Sequence, residues 1–139
     1  MAGDSPNARA HQRVRHDHST ETAEDYVEAV AEIIESADAC RVRDLAERFG
    51  VSHVTVIRTI KRLECERLVR TEPYKPIELT AKGRKLARQC KERHETVVRF
   101  LLAIGISRRV AETDAEGIEH HVSKETLARF KQIAEKGGF

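Results

Sequence analysis

The segment from Arg41 to Val69 constrains the fold more than any other part of the chain, because apolar residues recur at helical spacing on both sides of one glycine. The apolar positions are Leu45, Ala46 and Phe49 before Gly50, and Val56, Ile60 and Leu63 after it. Gly50 supplies the permissive backbone that a sharp turn needs. Two short helices joined in this way are typical of a helix-turn-helix.

The rest of the chain is predicted to be mainly helical, because its apolar residues also follow helical spacing. The predicted helices are about Glu21–Ala37, Val42–Phe49, Ser52 to about Arg67, Thr80 to Gly105, Ser107 through the DAEGIEHH segment, and Ser123 to about Ala134. Ser52, Thr80 and Ser123 are expected to cap their helices, and Ser107 is expected to start the fifth helix. Between the third and fourth helices, the segment LVRTEPYKPIEL predicts a small hairpin with Tyr74 and Lys75 at its tip. Residues 1–20 are polar and are expected to form a flexible arm.

The composition argues against several classes of protein. The sequence has no run of roughly eighteen uncharged apolar residues, so no membrane-spanning helix is predicted. Its first residues lack the apolar centre of a secretory signal. The three cysteines form no CxxC pair, which argues against a disulfide framework and a zinc knuckle. The expected location is therefore the reducing cytoplasm, with no membrane partner.

The charge of the chain is unevenly distributed. Residues 41–93 carry fifteen basic and seven acidic residues, whereas residues 1–40 carry three basic and nine acidic ones. A basic middle suggests a surface for a polyanion. The predicted contacts to DNA phosphates and base edges are the outward-facing Ser52, His53, Val54, Thr55, Arg58 and Arg62, and Lys75 at the hairpin tip. The alternative is an ordinary three-helix packing unit with a solvated basic face.

The strongest chemical signal is the segment EGIEHH, residues 116–121. Positions i, i+3 and i+4 share one face of a helix, so Glu116, Glu119 and His120 are expected to converge. Asp25 and Glu28 have i, i+3 spacing on the first helix. Clustered carboxylates repel one another and lose hydration on burial, and a divalent cation would remove that cost.

His94, in the middle of the long helix, would complete a set of four carboxylates and two imidazoles if these helices meet. Four negative charges fit two divalent ions better than one. Oxygen ligands with imidazole and without thiolate favour Mn²⁺ over a structural zinc site. The sequence therefore predicts manganese as the cofactor, with two ions per subunit. His121 is rotated by about 100° from His120, so it is expected to be exposed or to support a ligand.

Five segments together resemble a known family. They are AEDYVEAV, VTVIRTIKRL, LTAKGRKLA, ERHETVVRFLLAIGI and DAEGIEHHVS. They resemble the diphtheria-toxin-repressor class of metalloregulators, most closely its manganese-responsive, MntR-like branch. The resemblance covers about Thr22 to Ala134. It departs from the family in the wing, where Pro76 stands at a position that is commonly a strand residue.

The resemblance implies a ligand set and a partner. Its manganese-binding positions correspond to Asp25, Glu28, His94, Glu116, Glu119 and His120, which would hold a two-manganese cluster. The iron-responsive relatives place Met and Cys at two of these positions, so hard oxygen replaces soft sulfur here. The implied DNA-contacting positions are Ser52, Val54, Thr55 and Arg58. The helices after the wing would form a homodimer.

The expected architecture is mainly α. A flexible arm (1–20) precedes a winged helix-turn-helix DNA-binding domain of three helices and a two-stranded wing (21–79), and a helical metal-binding and dimerisation domain follows (80–139). The expected function is manganese-dependent repression of metal-ion homeostasis genes from a palindromic DNA operator, without enzymatic activity. Metal binding would order the dimer for the operator.

Three other functions are consistent with parts of the sequence. One is an iron-responsive regulator of the same family. A second is a di-metal hydrolase, since paired ions can activate water. A third is a metal-independent winged-helix regulator whose EGIEHH face binds a protein. Calorimetry with Mn²⁺ and a screen for turnover would separate these functions.

Overall fold

The computed structural model describes residues 6–138, apart from the side chains of residue 11 and residues 13–18. In chain order, its elements are α1 (Pro6–Ala37), α2 (Val42–Phe49), α3 (His53–Cys65), β1 (Val69–Arg70), β2 (Glu78–Leu79), α4 (Ala81–Ala103), α5 (Arg108–Ile118) and α6 (Lys124–Glu135). The predicted fold class is confirmed: the chain is mainly α, and a two-stranded wing follows the third helix.

Helix α1 begins at Pro6, whereas the apolar periodicity predicted a start near Glu21. Residues 6–20, which were expected to belong to a flexible arm, are helical. Proline is well tolerated in the first turn of a helix, and no glycine or proline interrupts the chain between Pro6 and Ala37. A polar segment can extend a helix without any apolar face, so the apolar periodicity alone predicted a start that was too late. Residues 1–5 of the predicted arm lie outside the described residues.

Residues Thr22–Gln89 form one compact unit around an apolar core. Its fully buried side chains include Val27, Val30, Leu45, Val56 and Leu63. Tyr26 of α1 stacks on Phe49 of α2 with ring centroids 4.5 Å apart. Gly50 ends α2 with φ 64°, and Ser52 caps α3 by accepting a hydrogen bond from the backbone N–H of Thr55. Because left-handed backbone favours glycine, the predicted turn is explained by local chemistry.

The wing is shorter than the sequence runs suggested. Strands β1 and β2 pair in antiparallel fashion, with Val69 opposite Leu79 and Arg70 opposite Glu78. Pro76 has no N–H to donate, so pairing in the second run begins only after it. The N–H of Ile77 donates to the carbonyl oxygen of Cys40 at 2.8 Å and forms an isolated bridge.

The start of α4 is held by the carbonyl oxygen of Leu68, the residue before β1. The backbone N–H and the hydroxyl of Thr80 lie 3.0 and 3.1 Å from this oxygen. The hydroxyl of Thr80 also accepts the N–H of Gly83 at 3.0 Å, so Thr80 caps α4 as predicted. A Cβ atom on Gly83 would lie 2.0 Å from the Leu68 oxygen, and only glycine fits this approach.

The described residues before Thr22 and from Cys90 onward form the other compact unit. Its core contains Val97, Val98, Leu101, Ala111 and Ala115, and Phe100 stacks on Phe130 with ring centroids 3.9 Å apart. Ser107 and Ser123 cap α5 and α6, as predicted. The domain limits 21–79 and 80–139 stay a prediction. Among residues 6–138, no helix combines the length and apolarity that crossing a bilayer requires.

Candidate metal centre and nucleic-acid interface

Glu119 is the centre of a polar cluster in the unit that contains the residues from Cys90 onward. Its side chain is completely buried, which is rare for a carboxylate without compensating partners. One carboxylate oxygen lies 2.7 Å from Nδ1 of His94 on α4, and the other lies 3.3 Å from Nε2 of His120. The side chain of His120 is also buried, at 1% exposure. The buried carboxylate therefore lies between two imidazoles.

His94 faces carboxylates through both ring nitrogens. Nδ1 lies 3.9 Å from an oxygen of Glu116 in addition to its short contact with Glu119, and Nε2 lies 2.9 Å from an oxygen of Glu112. Burial by itself lowers the pKa of His94, because it disfavours the charged imidazolium. The hydrogen bond with Glu112, the charge and hydrogen bond of Glu119 and the charge of Glu116 outweigh burial. The pKa of His94 is raised above its ordinary value of 6.5.

The expectation that Glu116, Glu119 and His120 lie on one helical face needs a correction. Helix α5 ends at Ile118, so Glu119 is the cap residue and His120 lies in the following turn. Glu119 keeps right-handed helical dihedrals and donates its N–H to the carbonyl oxygen of Ala115, which carries its side chain inward. Three of the predicted ligands, His94, Glu116 and Glu119, offer atoms within 4.8 Å of one another.

The predicted ligands differ in exposure. The side chain of Glu116 is 63% exposed, while that of Glu119 is fully buried. Asp25 and Glu28 lie on α1 within the Thr22–Gln89 unit, and both are half-buried. Their i, i+3 spacing on a continuous helix places them on one face of α1.

Two contacts of this cluster were not predicted. Glu112 approaches His94 from α5, and its spacing from Glu116 and Glu119 is i, i+4 and i+7. That spacing places Glu112, Glu116 and Glu119 on one helical face, so the sequence contained a signal that Glu112 belongs to this cluster. His121 is half-exposed, and its Nε2 lies 3.3 Å from a carboxylate oxygen of Glu21.

The donor set fits a hard divalent cation. His94, Glu116 and Glu119 supply imidazole nitrogen and carboxylate oxygen, and this cluster contains no cysteine. Oxygen and imidazole ligands suit Mn²⁺ and Fe²⁺, whereas structural zinc sites favour thiolates. A buried carboxylate next to a second carboxylate is also a position where a cation relieves both repulsion and desolvation.

The predicted DNA contacts lie on an exposed face of the Thr22–Gln89 unit. Ser52, His53, Val54, Thr55 and Arg58 are exposed at the start of α3, and Val54 is 63% exposed although it is apolar. An exposed valine at this position can contact a thymine methyl group. The hydroxyl of Ser52 is engaged in the helix cap, 3.0 Å from the hydroxyl of Thr55. Arg62 is half-buried, 4.0 Å from Glu66.

The wing presents one aromatic and one basic residue at its tip. Tyr74 is fully exposed and has φ 65°, and the ammonium group of Lys75 lies 2.8 Å from a carboxylate oxygen of Glu72. The pair of Lys75 with Glu72 is solvent-exposed, so it contributes little and can open for a phosphate.

Comparison with known proteins identifies two family domains in this chain. The family profile described as "Iron dependent repressor, N-terminal DNA binding domain" matches residues 18–77, and "Iron dependent repressor, metal binding and dimerisation domain" matches residues 80–136. The transcriptional regulator MntR of Escherichia coli O157:H7 is 40% identical over 138 residues, covering 99% of this chain and 89% of the relative. The chain belongs to the iron-dependent repressor family.

The similarity extends to MntR-like members of this family from distant bacteria. The HTH-type transcriptional regulator MntR of Bacillus subtilis (strain 168) is 32% identical over 117 residues, covering 84% of this chain and 82% of the relative. A solved structure described as a manganese-dependent transcriptional repressor in complex with manganese has a TM-score of 0.73 and 31% identity, over 81% of this chain and 52% of that one. The chain spans about half the length of this structure and of the similar structure of the manganese regulator SloR.

Family membership identifies the roles of the two matched regions. Residues 18–77 correspond to the DNA-binding domain of an iron-dependent repressor, and residues 80–136 correspond to its metal-binding and dimerisation domain. The Glu119 cluster lies in the second region and the exposed face of α3 in the first. The chain is therefore a metal-dependent, DNA-binding repressor of this family.

Proposed function

We propose that this protein is a manganese-dependent repressor that acts as a homodimer in the cytoplasm and controls genes of metal-ion homeostasis. The observation that carries the proposal is the buried carboxylate of Glu119 between His94 and His120, inside the region matched by the family's metal-binding domain. The proposed activity is regulation without catalysis, since both matched domains serve binding.

We propose that two Mn²⁺ ions per subunit bind six side chains. These are Asp25, Glu28, His94, Glu116, Glu119 and His120. The sequence patterns and the family resemblance support this set, and the clustering of three of them within 4.8 Å adds geometric support. When bound, the cations would neutralise carboxylates that otherwise repel one another.

Manganese is favoured over iron for two reasons. The family resemblance implies that iron-responsive relatives place Met and Cys at two of these positions, whereas all six proposed ligands here are oxygen or imidazole donors. The relatives named MntR are transcriptional regulators, and one similar solved structure is described as manganese-dependent. Direct competition between Mn²⁺, Fe²⁺ and Zn²⁺ in the DNA-binding assay tests this preference.

The proposed coupling between metal and DNA is thermodynamic. Without metal, repulsion among the carboxylates leaves the ligand-bearing segments loosely ordered, and ordering them reduces the cost of binding DNA afterwards. In the dimer, the two α3 helices would occupy major-groove sites about 34–36 Å apart, which corresponds to a palindromic operator. By reciprocity, DNA should increase Mn²⁺ affinity by the same factor by which Mn²⁺ increases DNA affinity.

The deciding experiment is a gel shift with a palindromic duplex that the wild-type protein selects from a random pool in the presence of Mn²⁺. Titration with Mn²⁺, Fe²⁺ and Zn²⁺ separately should give the strongest response to Mn²⁺. Equal DNA affinity with Mn²⁺ and with chelator would contradict the proposed function.

Replacement of Arg58 by alanine should weaken binding to this duplex by about 1–3 kcal/mol, because arginine can bond a guanine edge or a phosphate. Arg58 is exposed on α3, one turn after Val54. The matched control is Arg88→Ala, which removes the same charge from an exposed position on α4. Fluorescence anisotropy at fixed ionic strength measures both variants, and equal losses would assign the effect to net charge alone.

Manganese affinity should fall as the pH decreases through the raised pKa of His94. The metal needs a deprotonated ring nitrogen, so protons compete with Mn²⁺ at higher pH than for an unperturbed histidine. In the metal-free protein, the stability of the fold depends on pH in the opposite direction. Because the pKa of His94 is higher in the folded protein than in the unfolded chain, protonation of His94 stabilises the fold. This stabilisation is complete at pH values below the unfolded pKa and is lost as the pH rises through the folded pKa.

Thermal unfolding with and without Mn²⁺, between about pH 8 and about pH 5.5, measures both slopes. The increase in Tm caused by Mn²⁺ should shrink toward acid, and the contribution of His94 to the metal-free Tm should decline toward alkali. The control is His94→Gln, which cannot titrate. A Mn²⁺-induced Tm increase that is independent of pH would argue against His94 as a ligand.

A further inference from the structure

The two ring nitrogens of His94 have separate partners. Nδ1 lies 2.7 Å from Glu119 and 3.9 Å from Glu116, which are two of the proposed ligands. Nε2 lies 2.9 Å from Oε2 of Glu112, which is not among them. These nitrogens are on different edges of the imidazole, so Glu112 and the Glu116–Glu119 pair approach the ring from different directions.

We propose that Glu112 is a positioning residue, which holds His94 in the orientation and tautomer that present the Nδ1 lone pair to a cation. This inference rests on the proposed function and adds a residue to that site. When Glu112 accepts the Nε2–H of the neutral ring, the lone pair is left on Nδ1, where a cation can replace the proton that the 2.7 Å contact with Glu119 otherwise requires. Metal-binding histidines generally donate their other ring N–H to such an acceptor, which fixes the ring and increases its basicity.

The surroundings of Glu112 favour a positioning role over direct ligation. Its second oxygen, Oε1, lies 3.7 Å from a guanidinium nitrogen of Arg108, one turn earlier on α5. The carboxylate is thus shared between His94 on one side and a permanent cation on the other. The ion pair with Arg108 is exposed and weak in energy, but its positive charge opposes the approach of a second cation to this carboxylate.

Position 112 is suitable for substitution because its side chain is 48% exposed and lies outside the apolar core. Glu112→Ala removes the acceptor and the charge. Glu112→Gln removes the charge but retains a carbonyl oxygen that accepts the Nε2–H. The matched control is Asp114→Asn, an exposed carboxylate two residues along α5 and about 200° around the helix axis.

Isothermal calorimetry with Mn²⁺ alone, on the full chain, provides the first measurement. Glu112→Ala should lower Mn²⁺ affinity by about 10-fold or more, within the range of about 10–100-fold found for residues that support metal ligands. Glu112→Gln should recover most of this loss, and Asp114→Asn should bind as wild type does. An equal loss in Glu112→Gln and Glu112→Ala would overturn the inference, because charge rather than orientation would then be responsible.

Nitrogen-15 NMR of His94 in the presence of Cd²⁺, a diamagnetic divalent ion, provides the second measurement. Wild type and Glu112→Gln should show a protonated Nε2 and a metal-bound Nδ1, whereas Glu112→Ala should show a mixture of rings that bind Cd²⁺ through Nδ1 and rings that bind it through Nε2. If Glu112→Ala binds Cd²⁺ through Nδ1 alone, as wild type does, the inference is overturned but the proposed function is not, provided that wild type binds Mn²⁺. Absence of Mn²⁺ binding by wild type overturns the proposed function together with it.

Discussion

Replacement of Glu119 by glutamine should abolish most of the Mn²⁺-dependent gain in DNA affinity. Couplings of this kind are worth about 5–150-fold in affinity, so we expect a loss of that order. Glu119 is the one proposed ligand with a completely buried carboxylate, and it lies between His94 and His120. Glutamine has nearly the same shape, but it lacks the negative charge and one of the two oxygen donors.

The measurement is the apparent Kd for the selected duplex, with saturating Mn²⁺ and with chelator. Glu95→Gln is the matched control, because Glu95 is an exposed carboxylate next to His94 on α4 and undergoes the same chemical change. Circular dichroism without metal checks that the Glu119→Gln variant is folded. A folded variant that retains the full response to Mn²⁺ would remove Glu119 from the metal centre.

Replacement of Gly83 by alanine should destabilise the protein by about 2 kcal/mol or more, although alanine is the better helix former. The added Cβ atom would lie 2.0 Å from the carbonyl oxygen of Leu68 and 3.3 Å from a methyl group of Leu79. The oxygen belongs to the backbone that also caps α4 through Thr80, so it cannot move without breaking those hydrogen bonds. Overpacking of this kind costs about 1–3 kcal/mol or more and outweighs the gain in helix propensity of about 1 kcal/mol.

Gly117→Ala provides the control with the opposite sign. Gly117 is also inside a helix, but a Cβ atom there would have no neighbour within 4 Å. Alanine should therefore be neutral or stabilising by up to about 1 kcal/mol. Chemical denaturation of both variants without metal gives the two free energies of unfolding. A Gly83→Ala variant as stable as Gly117→Ala would contradict the close approach of α4 to Leu68.

The sequence predicted the parts of the fold that depend on neighbouring residues. Helix α2 has the predicted bounds, and Ser52, Thr80, Ser107 and Ser123 cap helices as expected. These features follow from hydrogen bonds between residues three or four positions apart, which a pattern in the sequence records directly. The predicted start of α1 was wrong, because a polar helical segment has no apolar periodicity that would reveal where it begins.

The candidate site was predictable in chemistry but not in detail. Carboxylates and histidines at helical spacing, together with the family resemblance, singled out Glu116, Glu119 and His120 without coordinates. The sequence did not indicate that α5 ends at Ile118, nor that Glu119 is fully buried while Glu116 is exposed. Burial depends on which side chains of other helices cover a residue, and spacing along one helix does not contain that information.

The sequence by itself determined the element order and the helix caps, because each depends on local geometry or on residue identity, and it predicted oxygen and imidazole donors for the proposed metal site. Only the tertiary structure decided that His94 faces Glu119 through one nitrogen and Glu112 through the other, across 25 and 18 residues of chain. It also decided that position 83 must be glycine, because the constraint comes from the backbone of Leu68. Contacts between residues distant in the chain arise from packing, and packing is set by all the elements together.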